Sequence, residues 1–217
     1  MQDSYWLKRL ETHRAIAVIR APNFHVGVQM AMAVAAGGMR LIELTWNGNE
    51  VPEIISELRS KLPDCAIGTG TILTAKELIH AVNSGAQFVF SPNTNIPLIR
   101  VAKEAETPVI PGALSPTEII AAWQAGASCV KVFPISAVGG TSYIKSLRGP
   151  LGQIPLIPTG GVTLDNALDF IRSGAIAVGL SGDLFPKDAI AAGNWEAIAA
   201  RSRQLTQALA KWENGEI

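Results

Sequence analysis

Eight short apolar runs recur along the chain at intervals of about 20–27 residues, the span of one strand plus one helix. That recurrence limits the fold more than any other feature. The runs are AIAVIR (15–20), RLIELTW (40–46), AIGTGT (66–71), FVFSP (88–92), PVIPG (108–112), CVKVFP (129–134), PLIPTGG (155–161) and AVGLSG (177–182). Each is strand-length, and most stop at Gly, Pro, Ser or Asn, as buried parallel strands do. Amphipathic stretches lie between them. Thr74 and Glu77 form a Thr-x-x-Glu capping box ahead of Leu78, Ile79 and Val82 at helical spacing. Ser115 and Glu118 repeat the device, with Pro116 at the first helical position. Thr163 reads as a further N-cap, and Gly37, Gly85, Gly126 and Gly174 as left-handed helix ends. Ile190, Ile198, Leu205, Leu209 and Trp212 share one face of a final docking helix.

No Ser/Gly linker or charge block divides the chain. The pattern therefore predicts an α/β fold, a single-domain (β/α)8 TIM barrel over residues 1–217, with an N-terminal helix near residues 3–12. A doubly wound sheet is the alternative. It would carry a glycine-rich loop after its first strand, and the RAPNF turn has none.

Composition removes other classes. The 18 Lys+Arg balance 18 Asp+Glu, which argues against a nucleic-acid or anionic-membrane partner. Cys65 and Cys129 sit in apolar runs and read as buried, reduced thiols rather than a disulfide framework. The charged start MQDSYWLKRLETHR lacks the apolar core of a signal peptide, and no run approaches ~18 apolar residues, so the expectation is a cytoplasmic protein. His13, His25 and His80 are scattered without metal-ligand spacing.

In a barrel, chemistry sits at the C-terminal ends of the strands, so polar residues inside the apolar runs carry the information. In CVKVFP, Val130 and Val132 share one face and Cys129, Lys131 and Phe133 the other, which points Lys131 into the barrel. The other lysines, Lys187 among them, fall in helical or loop patterns that solvated faces explain. Burying an amine disfavours its charged form, a cost that becomes useful where a neutral amine must attack a carbonyl. Glu43 shares a face with Thr45 and Asn47 and can serve beside Lys131 as a proton carrier or as a structural ion-pair partner. Arg20 ends the first run, and Thr69 and Thr71 end the third. A guanidinium and a hydroxyl there suit a substrate carboxylate. Gly160-Gly161 and Ser181-Gly182 follow the last two runs, where barrels commonly bind phosphate. Cys129 has no His partner in its own run and reads as filler.

AVIRA, GGMRLIELTWN, IGTGTIL, GAQFVFSPN, IPGALSPTE, VKVFP and IPTGGVTLDN, taken in that order over nearly the whole chain, resemble the class I 2-keto-3-deoxy-6-phosphogluconate (KDPG) aldolases. That family includes bifunctional 4-hydroxy-2-oxoglutarate (KHG) members and phosphogalactonate relatives. The resemblance implies a Schiff-base lyase that needs no metal or other cofactor, with Lys131 forming the imine and Glu43 as the general acid/base. It implies that Thr71 holds the pyruvate carboxylate and that Pro92 and Phe133 line the pyruvate end. Thr159, Gly160, Gly161 and Ser181 match the phosphate set. Where some members carry Arg on the second strand this chain has Asn47, so Arg20 is expected to take the carboxylate, and a galactonate substrate stands as an alternative. The resemblance also implies a homotrimer acting on a small 2-oxo acid.

The residues by themselves leave two rivals. A phosphosugar barrel without a Schiff base, such as an epimerase or a thiamine-phosphate-type synthase, shares the glycine loops but gives Lys131 no task. A phosphosugar-binding module would keep Lys131 and Glu43 as a structural pair.

Overall fold

The computed structural model describes residues 2–216. Every apolar run contains a strand: β1 (Ala15–Ile19), β2 (Leu41–Thr45), β3 (Ala66–Gly70), β4 (Val89–Phe90), β5 (Val109–Ile110), β6 (Gly112–Ala113), β7 (Val130–Val132), β8 (Leu156–Pro158) and β9 (Val178–Leu180). Strands β5 and β6 come from one run, divided at Pro111, which has no N–H to give to a ladder. The Pro111 carbonyl still accepts from Lys131 N at 2.9 Å, so pairing continues across the break.

The order β5-β4-β3-β2-β1-β9 forms one parallel arc and β6-β7-β8 the other. The arcs join through Pro111 on one side and a parallel Thr159–Gly179 bridge on the other, which closes the sheet into a barrel. Helices α1 (Gln2–His13), α2 (Phe24–Ala36), α3 (Val51–Lys61), α4 (Ala75–Asn83), α5 (Ile96–Glu104), α6 (Pro116–Gln124), α7 (Thr141–Leu151), α8 (Ala167–Arg172), α9 (Lys187–Ala191) and α10 (Trp195–Glu213) complete it.

Alternation along the strands divides the apolar residues into two cores. Ala17, Ile42, Leu44, Ile67, Val130 and Val132 pack outward under the helices. Ile16, Leu41, Ala66, Phe88, Phe90, Cys129 and Ile157 fill the interior. Helix α1 adds to the inner core: Trp6 stacks on Phe88 with ring centres 4.4 Å apart, and Leu10 is fully buried beside it. It closes the floor of the barrel. Both cysteines are buried.

Local signals explain the helix starts. Both capping boxes, Thr74–Glu77 and Ser115–Glu118, are formed. Thr163 is not the N-cap of α8, a position that falls to Asn166; Thr163 instead braces the preceding turn, its hydroxyl accepting from Asn166 N and its carbonyl from Ala167 N. Gly85, Gly126 and Gly174 are left-handed, as expected. Gly37 is not. The left-handed residue after α2 is Gly38 (φ 98°), and Gly37 instead makes room for α10, because a side chain there would strike Ser202 and the Ala199 carbonyl. The last apolar face is also interrupted, since Ile190 belongs to α9, and Asn194 caps α10 anew through Ala197 N. Among the described residues no helix is long and apolar enough to cross a membrane.

Candidate active site

A cavity of about 680 Å³ opens at the C-terminal ends of the strands. Eleven residues singled out from the sequence line it: Lys131, Glu43, Arg20, Asn47, Thr71, Pro92, Phe133, Thr159, Gly160, Gly161 and Ser181. Strand β7 pairs with β6 and β8 through Gly112↔Lys131 and Lys131↔Ile157, so Lys131 is fixed between two neighbours. Only 6% of it is exposed. Its Nζ lies 4.8 Å from the centre of the Phe133 ring and 5.6 Å from that of Phe90.

Glu43 projects inward from β2 and is 2% exposed. Burial raises its carboxyl above the ordinary carboxylate range, while the positive charges of Lys131 and Arg20 pull the other way. Among the described residues neither Glu43 nor Lys131 takes part in an ion pair. A structural Glu–Lys bridge is therefore not what holds them in the barrel. Glu43 Oε1 and Thr45 Oγ1, two residues apart on the same face, are both buried without a hydrogen-bond partner among the described residues.

The two threonines of the third run separate. Thr69 continues the outward register of Ile67 and donates its hydroxyl to the Leu44 carbonyl at 2.7 Å, so it lies outside the cavity. Thr71 is next in that register, but its backbone is left-handed (φ 63°), and its side chain lines the cavity. A non-glycine residue in that region is strained, and such strain gathers at functional positions.

The far end of the cavity is built from two loops. Gly160 (φ 81°) and Gly161 (φ 99°) are both left-handed, and a Cβ on Gly161 would sit 2.6 Å from that of Ser136. Asp183 ties this loop to the next one. Its carboxylate accepts from Leu164 N at 2.7 Å and from Arg201 Nη2 at 2.8 Å, and its carbonyl accepts from Arg201 Nε at 2.7 Å.

Gly182 of the last loop lines the cavity too, while sequence reasoning missed Val18, Thr45, Val162, Gly179 and Lys187, which also line it. Strand parity with Arg20 and Glu43 carries a signal for Val18 and Thr45. Lys187 is an exposed residue at the start of α9, as its helical pattern implies, and it also lines the rim of the cavity.

A closed (β/α)8 barrel with a buried lysine and carboxylate in a cavity at its strand ends defines the class, a barrel enzyme. Residues 7–201 match the family model "KDPG and KHG aldolase", and the chain belongs to that family of carbon–carbon lyases. It is 33% identical over 200 residues to a 2-dehydro-3-deoxy-phosphogluconate aldolase of Haemophilus influenzae, covering 92% of this chain and 94% of the relative. A crystal structure of KDPG aldolase from Legionella pneumophila, with pyruvate captured as a covalent carbinolamine, superimposes with a TM-score of 0.86 at 27% identity. That match covers 92% of this chain and 97% of the other. A native KDPGal structure superimposes with a TM-score of 0.82 at 28% identity, covering 91% and 96%.

Proposed function

We propose that this enzyme cleaves KDPG to pyruvate and glyceraldehyde 3-phosphate through a Schiff base on Lys131, and KHG to pyruvate and glyoxylate by the same route. The observation that carries the reading is that Lys131 and Glu43 line one cavity without forming an ion pair, which leaves both available for chemistry. Family membership sets aside the epimerase, synthase and binding-module readings.

The Lys131 amine attacks the C2 carbonyl, and loss of water gives a protonated imine. Glu43 takes the proton of the C4 hydroxyl as the C3–C4 bond breaks, and that bond's electron pair moves into the imine to form an enamine. The aldehyde leaves, C3 is protonated, and hydrolysis of the imine returns the lysine and pyruvate. A carboxyl raised by burial suits Glu43 to both halves of this proton traffic. Arg20, Asn47 and Thr71 hold the substrate carboxylate, with Pro92 and Phe133 packing the pyruvate end. Thr159, Gly160, Gly161 and Ser181 receive the phosphate.

Asn47 in the cavity favours a second reading of the same reaction, with 2-keto-3-deoxy-6-phosphogalactonate as substrate. Pyruvate release from the two phosphorylated epimers and from KHG, followed with a coupled dehydrogenase, tests both. KDPG turning over fastest supports the first reading, and the galactonate epimer turning over fastest replaces it with the second. The reading extends to one barrel domain over residues 1–217, acting as a cytoplasmic homotrimer, as the family resemblance implies.

A further inference from the structure

The charged side chains lining the cavity are Arg20, Glu43, Lys131 and Lys187. In the mechanism proposed above, the Lys131 nitrogen becomes part of the imine and Glu43 carries protons. Arg20 and Lys187 are then the cations left to meet the substrate's charge. That substrate is anionic at both ends, with a carboxylate on C1 and a phosphate on C6. Arg20 lies close enough to Glu43 to act on its carboxyl, which puts it at the reacting end. Lys187 comes from the other end, just after the Ser181-Gly182 loop.

Lys187 is uncommitted. Among the described residues it is in no ion pair, although Asp183 and Asp188 are near in sequence. Asp183 is already engaged, because Arg201 and the Leu164 N–H hold its carboxylate. The segment presenting Lys187 is also anchored. Leu184 and Phe185 are buried, and their N–H groups both donate to the Ser181 carbonyl, at 3.0 and 3.1 Å. The lysine therefore stands on a fixed turn beside the glycine loops, with its charge unspent.

We propose that Lys187 binds the terminal phosphate and sets the preference of the enzyme for phosphorylated over unphosphorylated 2-oxo acids. The assignment rests on the aldolase reading and goes beyond it. Glycine N–H groups and the Ser181 hydroxyl are neutral donors, whereas an ammonium gives the stronger, charge-assisted contact to a phosphate dianion on C6, which the shorter KHG, ending in a C5 carboxylate, does not carry to that end of the cavity.

The test compares KDPG with KHG in wild type and in Lys187→Met, which keeps the apolar stem and removes the charge. The expected result is a KM for KDPG raised about tenfold, the change that losing ~1.4 kcal/mol of binding gives. The ratio of kcat/KM for KDPG over that for KHG falls by a similar factor, and Lys187→Arg recovers most of it. A ratio equal to wild type, or loss of activity on both substrates in equal measure, overturns the role of Lys187. Wild-type protein that releases pyruvate from neither compound overturns the aldolase reading itself.

Discussion

The carboxyl of Glu43 lies where a side chain on Gly70 would stand. A Cβ built on Gly70 would overlap Glu43 Oε1, so the lack of a side chain at the end of β3 gives the acid its place on β2. Gly70 is not among the left-handed glycines, so alanine is compatible with its backbone and the cost falls on Glu43. Gly70→Ala is expected to lower kcat about 10²-fold, since a displacement near 1 Å at a reacting group has that effect. KM changes less. Steady-state kinetics with KDPG check this, and an unchanged kcat would contradict it.

Titration of Glu43 couples stability to pH. Burial raises its carboxyl, against the pull of Lys131 and Arg20. Between the ordinary carboxylate value and the raised one, the folded chain keeps a proton that the unfolded chain has lost. Stability therefore falls as pH rises through that window. Glu43→Gln cannot ionise, so it is expected to melt above wild type on the alkaline side, the gap closing as pH falls to about 4. The same variant loses about 10²–10⁴-fold in kcat. Thermal melts from about pH 4 to 8 read the effect, and equal melting temperatures throughout would contradict it.

The floor of the barrel is separable from the chemistry. Trp6 is 3% exposed, stacks on Phe88 and does not line the cavity at the C-terminal ends of the strands. Trp6→Ala is expected to destabilise the fold by about 3–5 kcal/mol, as removal of a buried aromatic does. Values of kcat below the melting transition stay within about threefold of wild type, because the bottom face of a barrel serves stability. Denaturant unfolding and kinetics on one preparation separate the two effects.

The legibility of the sequence followed its periodicities. Strand parity is a rule of two, so Lys131 against Val130 and Val132, or Glu43 against Ile42 and Leu44, could be assigned a direction before any coordinates. The rule fails where the backbone leaves the strand. Thr69 and Thr71 look equivalent in AIGTGT, and only the left-handed turn at Thr71 sends one into the cavity and leaves the other bonded to Leu44. Gly37 and Gly38 are likewise indistinguishable in sequence, because the approach of α10 at Ser202 decides which may bend and which must be small. Lys187 was hidden for a third reason. It follows a helix-like pattern, and its position depends on the Ser181–Phe185 turn, a contact with no period to read.

The proposed mechanism stands on the imine at Lys131. Incubation with pyruvate and borohydride, followed by mass mapping of the digested chain, tests it directly. One reduced pyruvyl adduct is expected, on the peptide containing Lys131, and none in Lys131→Ala. A folded protein that gains no adduct, or gains it on another lysine, would rule out the Schiff base on Lys131.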